Sequence, residues 1–470
     1  MRARHQRPSR FTIATLAVCF GLLATGCSSA KTTTTAKKIN VRIWRVGQDV
    51  DPLRDVITAF NKDNKDVLVT YKRKSASNYE QNSLKSMAGR QGPDVWSISS
   101  DQIGDMESIL KPLPANFYYT KGATSGPVTL DTVKTLFPDG VTEQILSTDG
   151  KSVLGLPSSV DSLQLYYNSD LFKLAADEYR RSLPTGFKED EYTPVRTLLS
   201  KPPTTWETLL AQVRYLTKKG PNDTLVRSSI ALGTTGNISN SADILQLLMM
   251  QNGVRVVSTD RSRALFTQTI DSPTGTRLRP GQKALEFYTS FSNPKSPMYS
   301  WNTSMPSTLD AFGQGRVAMV IAFTDFGKQL KAKYPKFQYE VTSVPQISTT
   351  QDQVNLIRFN LESVTQVAES SNAAFAFLGT YASEKNSKTL SKEAKLTSPY
   401  LKSLQATSSS SDYLTKQVLS GKAVFKKSHA DFDKAFEEMI SDVVQNGLPT
   451  DITLDTGAEK VNQLLAPQDE

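Results

Sequence analysis

From residue 39 onward, apolar positions recur first with the period of a strand and then with that of a helix. Ile39, Val41 and Ile43 alternate with Asn40 and Arg42, which predicts a strand. Leu53, Val56, Ile57 and Phe60 then fall at i, i+3, i+4 and i+7, one apolar face of a helix. Asp51-Pro52 before them has the chemistry of an N-cap followed by proline at the first helical position. Val67, Val69 and Tyr71 alternate again as a second strand. Ser77 and Glu80 stand at capping-box spacing ahead of Leu84, Met87 and Ala88, and Asp94 to Ile98 forms a third strand after Gly92-Pro93. Strand, helix, strand, helix, strand predicts parallel pairing with right-handed crossovers.

The middle of the chain continues in this style. Leu154 to Pro157 and Ser162 to Tyr167 predict short strands, and Asn168 to Leu174 opens a helix. Asp177 to Lys201 is charged and poorly patterned, the mark of a surface excursion. Thr204 and Glu207 make a second capping box before Leu209, Leu210, Val213 and Leu216; Trp206 packs that helix start. Ala242 to Met250 is an apolar helical segment closed by Asn252-Gly253, and Val254 to Gln282 is turn-rich, a hairpin or loop. Arg316 to Phe323 predicts a central strand, and Val354 to Ile357 a further one. Ala374, Phe377, Leu378 and Tyr381 form a late helical stripe, as do Phe436, Met439, Ile440 and Val443. No internal repeat or heptad array is present. The pattern predicts an α/β fold with two lobes.

The first residues carry a different signal. Arg2, Arg4, Arg7 and Arg10 precede Phe11 to Ala24, an apolar core too short for a permanent membrane span. Leu23-Ala24-Thr25-Gly26-Cys27 resembles the lipobox of bacterial lipoproteins, which implies acylation of Cys27 and a mature chain starting there. The alternative is an ordinary secretory signal with an incidental cysteine; either reading places the protein outside the cytoplasm. Residues 27–38, with Lys31 to Lys38 as KTTTTAKK, read as a flexible tether, and no other stretch is long and apolar enough to span a membrane. Both cysteines, Cys19 and Cys27, lie in the export segment, so the mature body has no disulfide and no thiol chemistry. Without the four signal arginines, the formal charge of +9 falls to +5 over more than four hundred residues, a solvated surface and not a nucleic-acid footprint.

The order of segments resembles the family 1 extracellular solute-binding proteins, the sugar-type receptors of ABC importers. The resemblance is carried by Ile43-Trp44, by Ala59-Phe60-Asn61-Lys62, by Gly92-Pro93-Asp94-Val95 and by Gly155-Leu156-Pro157. It continues through Leu165 to Phe172, Thr205-Trp206-Glu207-Thr208-Leu209, Phe312 to Met319 and Ala373 to Leu378, and so covers roughly residues 39 to 466. The excursion at Asp177 to Lys201 and the lack of a glycine pair near Asn360 depart from the family pattern. The resemblance implies a two-lobed periplasmic-binding-protein-like fold of hinge-connected α/β domains. Residues 1–26 would be the signal, 39–155 the first part of lobe 1, 156–320 mainly lobe 2, and 321–470 a hinge return with parts of both lobes and C-terminal helices. It also implies a lipid-anchored monomer, with no cofactor, that presents a mono- or oligosaccharide to ABC permease subunits. A sensor or adhesin of the same fold is the alternative.

In open α/β sheets, ligands bind beyond the carboxyl ends of strands. That rule selects Trp44 and Gly47-Gln48-Asp49, then Ser99, Ser100 and Asp101, then Ser158, Ser159 and Asp161. It also selects Thr324, Asp325 and Phe326, and Arg358, Asn360 and Glu362. The expected ligand-binding set is Trp44, Asp49, Ser100, Asp101, Asp161, Trp301, Thr324, Asp325 and Asn360. Trp44 and Trp301 would cover the C–H face of a sugar, and the carboxylates and amides its hydroxyl rim. Tyr166-Tyr167-Asn168 is expected near the hinge with at most one tyrosine facing the cleft. No G-x-S-x-G, H-E-x-x-H or Walker loop occurs, and an enzyme is not expected, although carboxylate number alone leaves a glycosidase pair open. His429, the single histidine of the mature body, is expected on a solvated helix surface, and no metal site is expected.

Overall fold

Two sheets, each with its own apolar cluster, organise the computed structural model, which describes residues 38–467 apart from 47–52, 118–127, 272–274, 276, 351 and 408–412. Cys19, Cys27, the signal, nearly all of the tether, the Asp51-Pro52 cap and the Asp49 loop lie outside the described residues. The first sheet has the order Gly421–Lys422, Asn355–Thr365, Val95–Ser99, Ile39–Val46, Val67–Lys74. Ile39–Val46 pairs in parallel with Val67–Lys74 from Ile39↔Val67 to Val46↔Lys74, and with Val95–Ser99, as the strand–helix alternation predicts. The long strand Asn355–Thr365 closes the sheet antiparallel to Val95–Ser99, and Leu156–Ser162 pairs with it as well.

The second sheet has the order Glu340–Ser343, Gln164–Tyr167, Val317–Ala322, Leu225–Ile230, Lys218–Lys219. Val317–Ala322 is central and all six of its residues are buried, which explains its unbroken apolar run. Leu163 alone separates a strand of the first sheet from a strand of the second, and the chain returns between Glu340–Ser343 and Asn355–Thr365. Leu156–Ser162, grouped above with the second lobe, therefore pairs in the first sheet. The C-terminal helices His429–Val444 and Thr450–Leu465 pack with the second cluster through Phe432, Phe436, Met439, Leu454 and Val461.

Several local expectations are corrected. Helix Tyr79–Ala88 starts after Asn78 in the left-handed conformation (φ 55°) with no side-chain cap, and Glu80 accepts from Gln102 Nε2 at 2.6 Å instead of closing a capping box with Ser77. The cap of Trp206–Leu216 is Thr205, not Thr204; its Oγ1 accepts from Thr208 N at 3.2 Å. The charged stretch Asp177 to Lys201 is not a loose excursion. It holds the end of helix Ser169–Ser182 and the helix Glu189–Leu198, anchored by buried Tyr192, Val195 and Leu199, with the Arg180 guanidinium 5.3 Å from the Tyr192 ring centre. So few apolar anchors among so many charges leave no visible period.

The seam between the two clusters is ionic. Lys426 is 2% exposed and lies 2.7 Å from Asp433, 3.4 Å from Asp243 and 3.8 Å from Asp101. Asp243 and Asp433 belong to helices packed in the second cluster, whereas Asp101 follows a strand of the first sheet. Burial pushes the Asp433 carboxyl up to about 6, with Lys426 opposing and Asp243 and Asp101 adding to the rise. A raised carboxyl destabilises the fold once pH passes its ordinary range, and the cost is complete above about 6. Lys426→Met should therefore lower the unfolding free energy by about 3–5 kcal/mol at pH 7.5, because three carboxylates lose their cation. The loss should be smaller at pH 5, where the carboxylates can take up protons; denaturant titration at the two pH values measures the difference.

Candidate functional site

The carboxyl ends of strands from both sheets converge on one cleft of about 1150 Å³. Arg45 and Val46 end the first strand, Ser99 ends Val95–Ser99, and Asp101 follows it. From the opposite side, Asp325, Lys328 and Lys331 come from helix Thr324–Lys333, which follows the central strand of the second sheet. The floor is made where Leu156–Ser162 pairs with Asn355–Thr365, through Ser159, Asp161, Arg358 and Asn360.

Asp161 is the best connected of these groups. Its carboxylate accepts from Thr324 N at 3.1 Å, Thr324 Oγ1 at 2.6 Å and Ser162 N at 2.9 Å. The Thr324 helix has no side-chain cap of its own, so a carboxylate from the other sheet satisfies its first N–H. Burial pushes the Asp161 carboxyl up, with Arg358 and the two Thr324 hydrogen bonds opposing. Arg358 Nη2 lies 3.2 Å from Asp325 and 3.8 Å from Asp161, and the guanidinium carbon sits 3.9 Å from the Phe323 ring centre. Arg358 thus joins the floor to the second lobe across the cleft.

A second junction of the same kind lies at His429. Asp105 accepts from the backbone N–H of Ser428 and, at 3.0 Å, from that of His429, at the start of a helix with no cap of its own. His429 Nδ1 is 2.6 Å from Asp105, and Nε2 is 3.7 Å from Glu80. The hydrogen bond to Asp105 raises the histidine above its ordinary value, against the effect of burial. Burial would raise Asp105, but its bonds from His429 and Ser428 outweigh this and hold it low. The solvated surface histidine expected from sequence is therefore a half-buried, paired group on the cleft wall.

Of the predicted ligand residues, Asp101, Asp161, Asp325 and Asn360 line the cleft together; Asn360 Nδ2 donates to Ser159 Oγ at 3.4 Å. Ser100 is buried and accepts from Phe359 N at 3.2 Å, and Thr324 is bound to Asp161, so both hold the floor and do not face a solute. Trp44 does not offer a stacking face: it is 5% exposed, with Lys74 Nζ 3.3 Å from its ring centre. Trp301 is fully buried in the second cluster, its Nε1 donating to Asn237 at 3.0 Å and Thr234 at 3.1 Å. Its polar sequence neighbours suggest an open loop, but those partners let the whole indole be buried. Asp49 lies outside the described residues.

The expected set lacks Arg45, Glu80, Lys328, Lys331, Arg358 and His429, all of which line the cleft. Arg45 carried a readable signal. It shares the strand face of Val41 and Ile43, which are fully buried, so the period of two places a guanidinium inward. Glu362 lies deeper, fully buried, accepting from Ser158 Oγ at 2.8 Å and Ser97 Oγ at 2.9 Å.

This arrangement defines a two-lobed solute-binding protein. The family model for bacterial extracellular solute-binding proteins matches residues 55–417, and the chain belongs to that family, whose members act outside the cytoplasm. Among solved structures it is similar to the cyclic α-maltosyl-1,6-maltose binding protein from Arthrobacter globiformis, with 18% identity, 91% of this chain and 99% of that one covered, and TM-score 0.67. It is also similar to the sugar-binding protein MalE from Xanthomonas citri, with 16% identity, 91% and 97% covered, and TM-score 0.64. The GacH receptor of Streptomyces glaucescens, solved unliganded and with acarbose, gives 14% identity, 91% and 98% covered, and TM-score 0.64. No curated protein sequence matches the chain. Among the described residues, no helix is long and apolar enough to cross a membrane and no acidic, histidine or cysteine group could hold a metal ion.

The Asp105–His429 pair gives a signed pH dependence. The lowered Asp105 contributes stability above the ordinary carboxylate range, and this is lost as pH falls through its folded value. The raised His429 contributes stability below the ordinary histidine value, and this is lost as pH rises through its folded value. Both contributions are present between those limits. Asp105→Asn should cost about 1 kcal/mol, as for other lost helix caps, with a larger drop in melting temperature at pH 5.5 than at pH 8.5.

Proposed function

We propose that this protein is an extracytoplasmic receptor that captures a carbohydrate between its two lobes and delivers it to the permease subunits of an ABC importer. The carrying observation is the cleft itself, where carboxylates, an amide and a guanidinium from both lobes face one volume and three chain passages join the lobes. Hydroxyl groups need paired donors and acceptors, which Asp325, Arg358, Asn360 and Asp101 supply. A solute that touches both lobes only in the closed state shifts the population towards closure. The printed ligands of similar structures, a cyclic maltosyl-maltose and acarbose, support a saccharide. Acylation at Cys27 would keep such a receptor beside its importer at high effective concentration.

A catalytic reading lacks support at the same residues. Asp161 is saturated by Thr324 and Ser162 and Asp325 is paired with Arg358 and Lys328, so neither stands free as a proton donor or nucleophile. A thermal-shift screen of the purified protein against saccharides, polyols, peptides and amino acids tests the proposal. A saccharide should raise the melting temperature, and Asp325→Ala should weaken its binding by about tenfold or more while the unliganded protein melts nearly unchanged. A shift with a peptide or amino acid and with no saccharide overturns the reading.

A further inference from the structure

Charge in the cleft is unevenly paired. Among the described residues, each carboxylate on its walls has a cation within 4.0 Å: Asp325 has Arg358 and Lys328, Asp161 has Arg358, Asp101 has Lys426, and Glu80 has His429. Three cations on those walls, Arg45, Lys331 and Lys395, have no carboxylate that close among the described residues. Arg45 is the informative one, because it is 7% exposed and desolvated already. Among the described residues, one of its five N–H donors has a partner, Nη1 to the Tyr381 hydroxyl at 2.8 Å. Arg45 is among the residues that line the cleft, and the rest of its fork has no hydrogen-bond partner among the described residues.

The second observation concerns rings. All four tryptophans of the chain are buried: Trp44 at 5%, Trp96 at 0%, Trp206 at 6% and Trp301 at 0% exposure. Among the described residues, the aromatic side chains lining the cleft besides His429 are Tyr79 and Phe359, also buried, and the Tyr79 hydroxyl is spent on Trp44 O at 2.8 Å. A neutral saccharide bound through its C–H faces therefore finds no open indole. What the described residues of the cleft offer is hydrogen bonds and positive charge without a carboxylate within 4.0 Å.

We infer that the solute is an acidic saccharide whose carboxylate or phosphate is received by the Arg45 guanidinium, with Lys331 and Lys395 adding to the field around it. The inference rests on the carbohydrate reading above and narrows it. A guanidinium fork matches either anion in two parallel hydrogen bonds, and a desolvated site strengthens them.

Calorimetry and thermal shift on the purified protein decide it, with digalacturonate and glucose 6-phosphate as the two acidic probes and galactobiose and glucose as their neutral counterparts. At least one acid should bind about tenfold or more tighter than its counterpart, with affinity falling as salt rises; which acid does so separates carboxylate from phosphate. Arg45→Gln should remove that preference, bringing the acid's affinity down to that of its neutral counterpart. If Arg45→Gln fails to fold, the double substitution Lys331→Gln with Lys395→Gln, both exposed, should still weaken the acid by about two- to fivefold without changing the unliganded melting temperature. Neutral sugars binding as tightly as the acids, or acid affinity unchanged in the folded variants, overturns the inference and leaves the carbohydrate reading standing. Binding of neither acid overturns it too, and a response to peptides alone sinks both.

Discussion

Two helices of the second lobe start without caps of their own, and carboxylates from the first lobe fill both places. Asp161 holds the start of the Thr324 helix and Asp105 the start of the His429 helix. A helix N-terminus leaves its first N–H groups without partners and carries partial positive charge, so a carboxylate serves both needs. The same groups are also readily served by water. Each lobe has its own apolar cluster, and ion pairs and helix caps also cross between the lobes. Separating the lobes at these two caps therefore exposes groups that hydrate well. That is the condition for a hinge with a modest free-energy difference between its states.

The seam and the cleft share residues, which under the proposed function would tie solute capture to lobe position. Asp101 faces the cleft and also helps to balance the buried Lys426. Asp325 faces the cleft and receives Arg358 from the floor. His429 faces the cleft and is held by Asp105. A solute that engages any of these competes with or completes a contact between lobes. Binding energy then enters the opening equilibrium through differential contact, with no separate relay required.

Much of the fold was legible because periodicity and chain order suffice for it. The alternation at Ile39 to Ile43, the stripe from Leu53 to Phe60 and the apolar run to Phe323 all became the elements that their spacing predicts. Acidic cleft residues were legible too, since the carboxyl-end rule selects Asp101, Asp161 and Asp325, which line the cleft. What the rule does not supply is contact between distant segments. His429 and Asp105 are 324 residues apart, and neither has a local pattern that announces the other. Trp301 misled for the opposite reason, since its polar neighbours conceal hydrogen-bond partners some 65 residues upstream that let the indole be buried. Arg45 was readable in principle, from a charge standing in an inward strand register.

That inward arginine has to survive an empty cleft, and the residues beneath it explain how. A desolvated guanidinium without compensation would cost several kcal/mol. Tyr381, stacked at 5.8 Å on Phe377 and fully buried, fixes one side of the fork from below. Glu362 lies deeper, sealed by Ser97 and Ser158, and lends its field to Arg45 without forming an ion pair within 4.0 Å. Compensation thus comes from the protein side and leaves the other donors of the fork without a partner among the described residues. A directly paired arginine would be quieter in the empty state, but a solute would have to break that pair before binding. Holding the charge through a tyrosine and a remote carboxylate instead leaves the guanidinium stable, oriented and still able to form its strongest bonds with whatever anion enters.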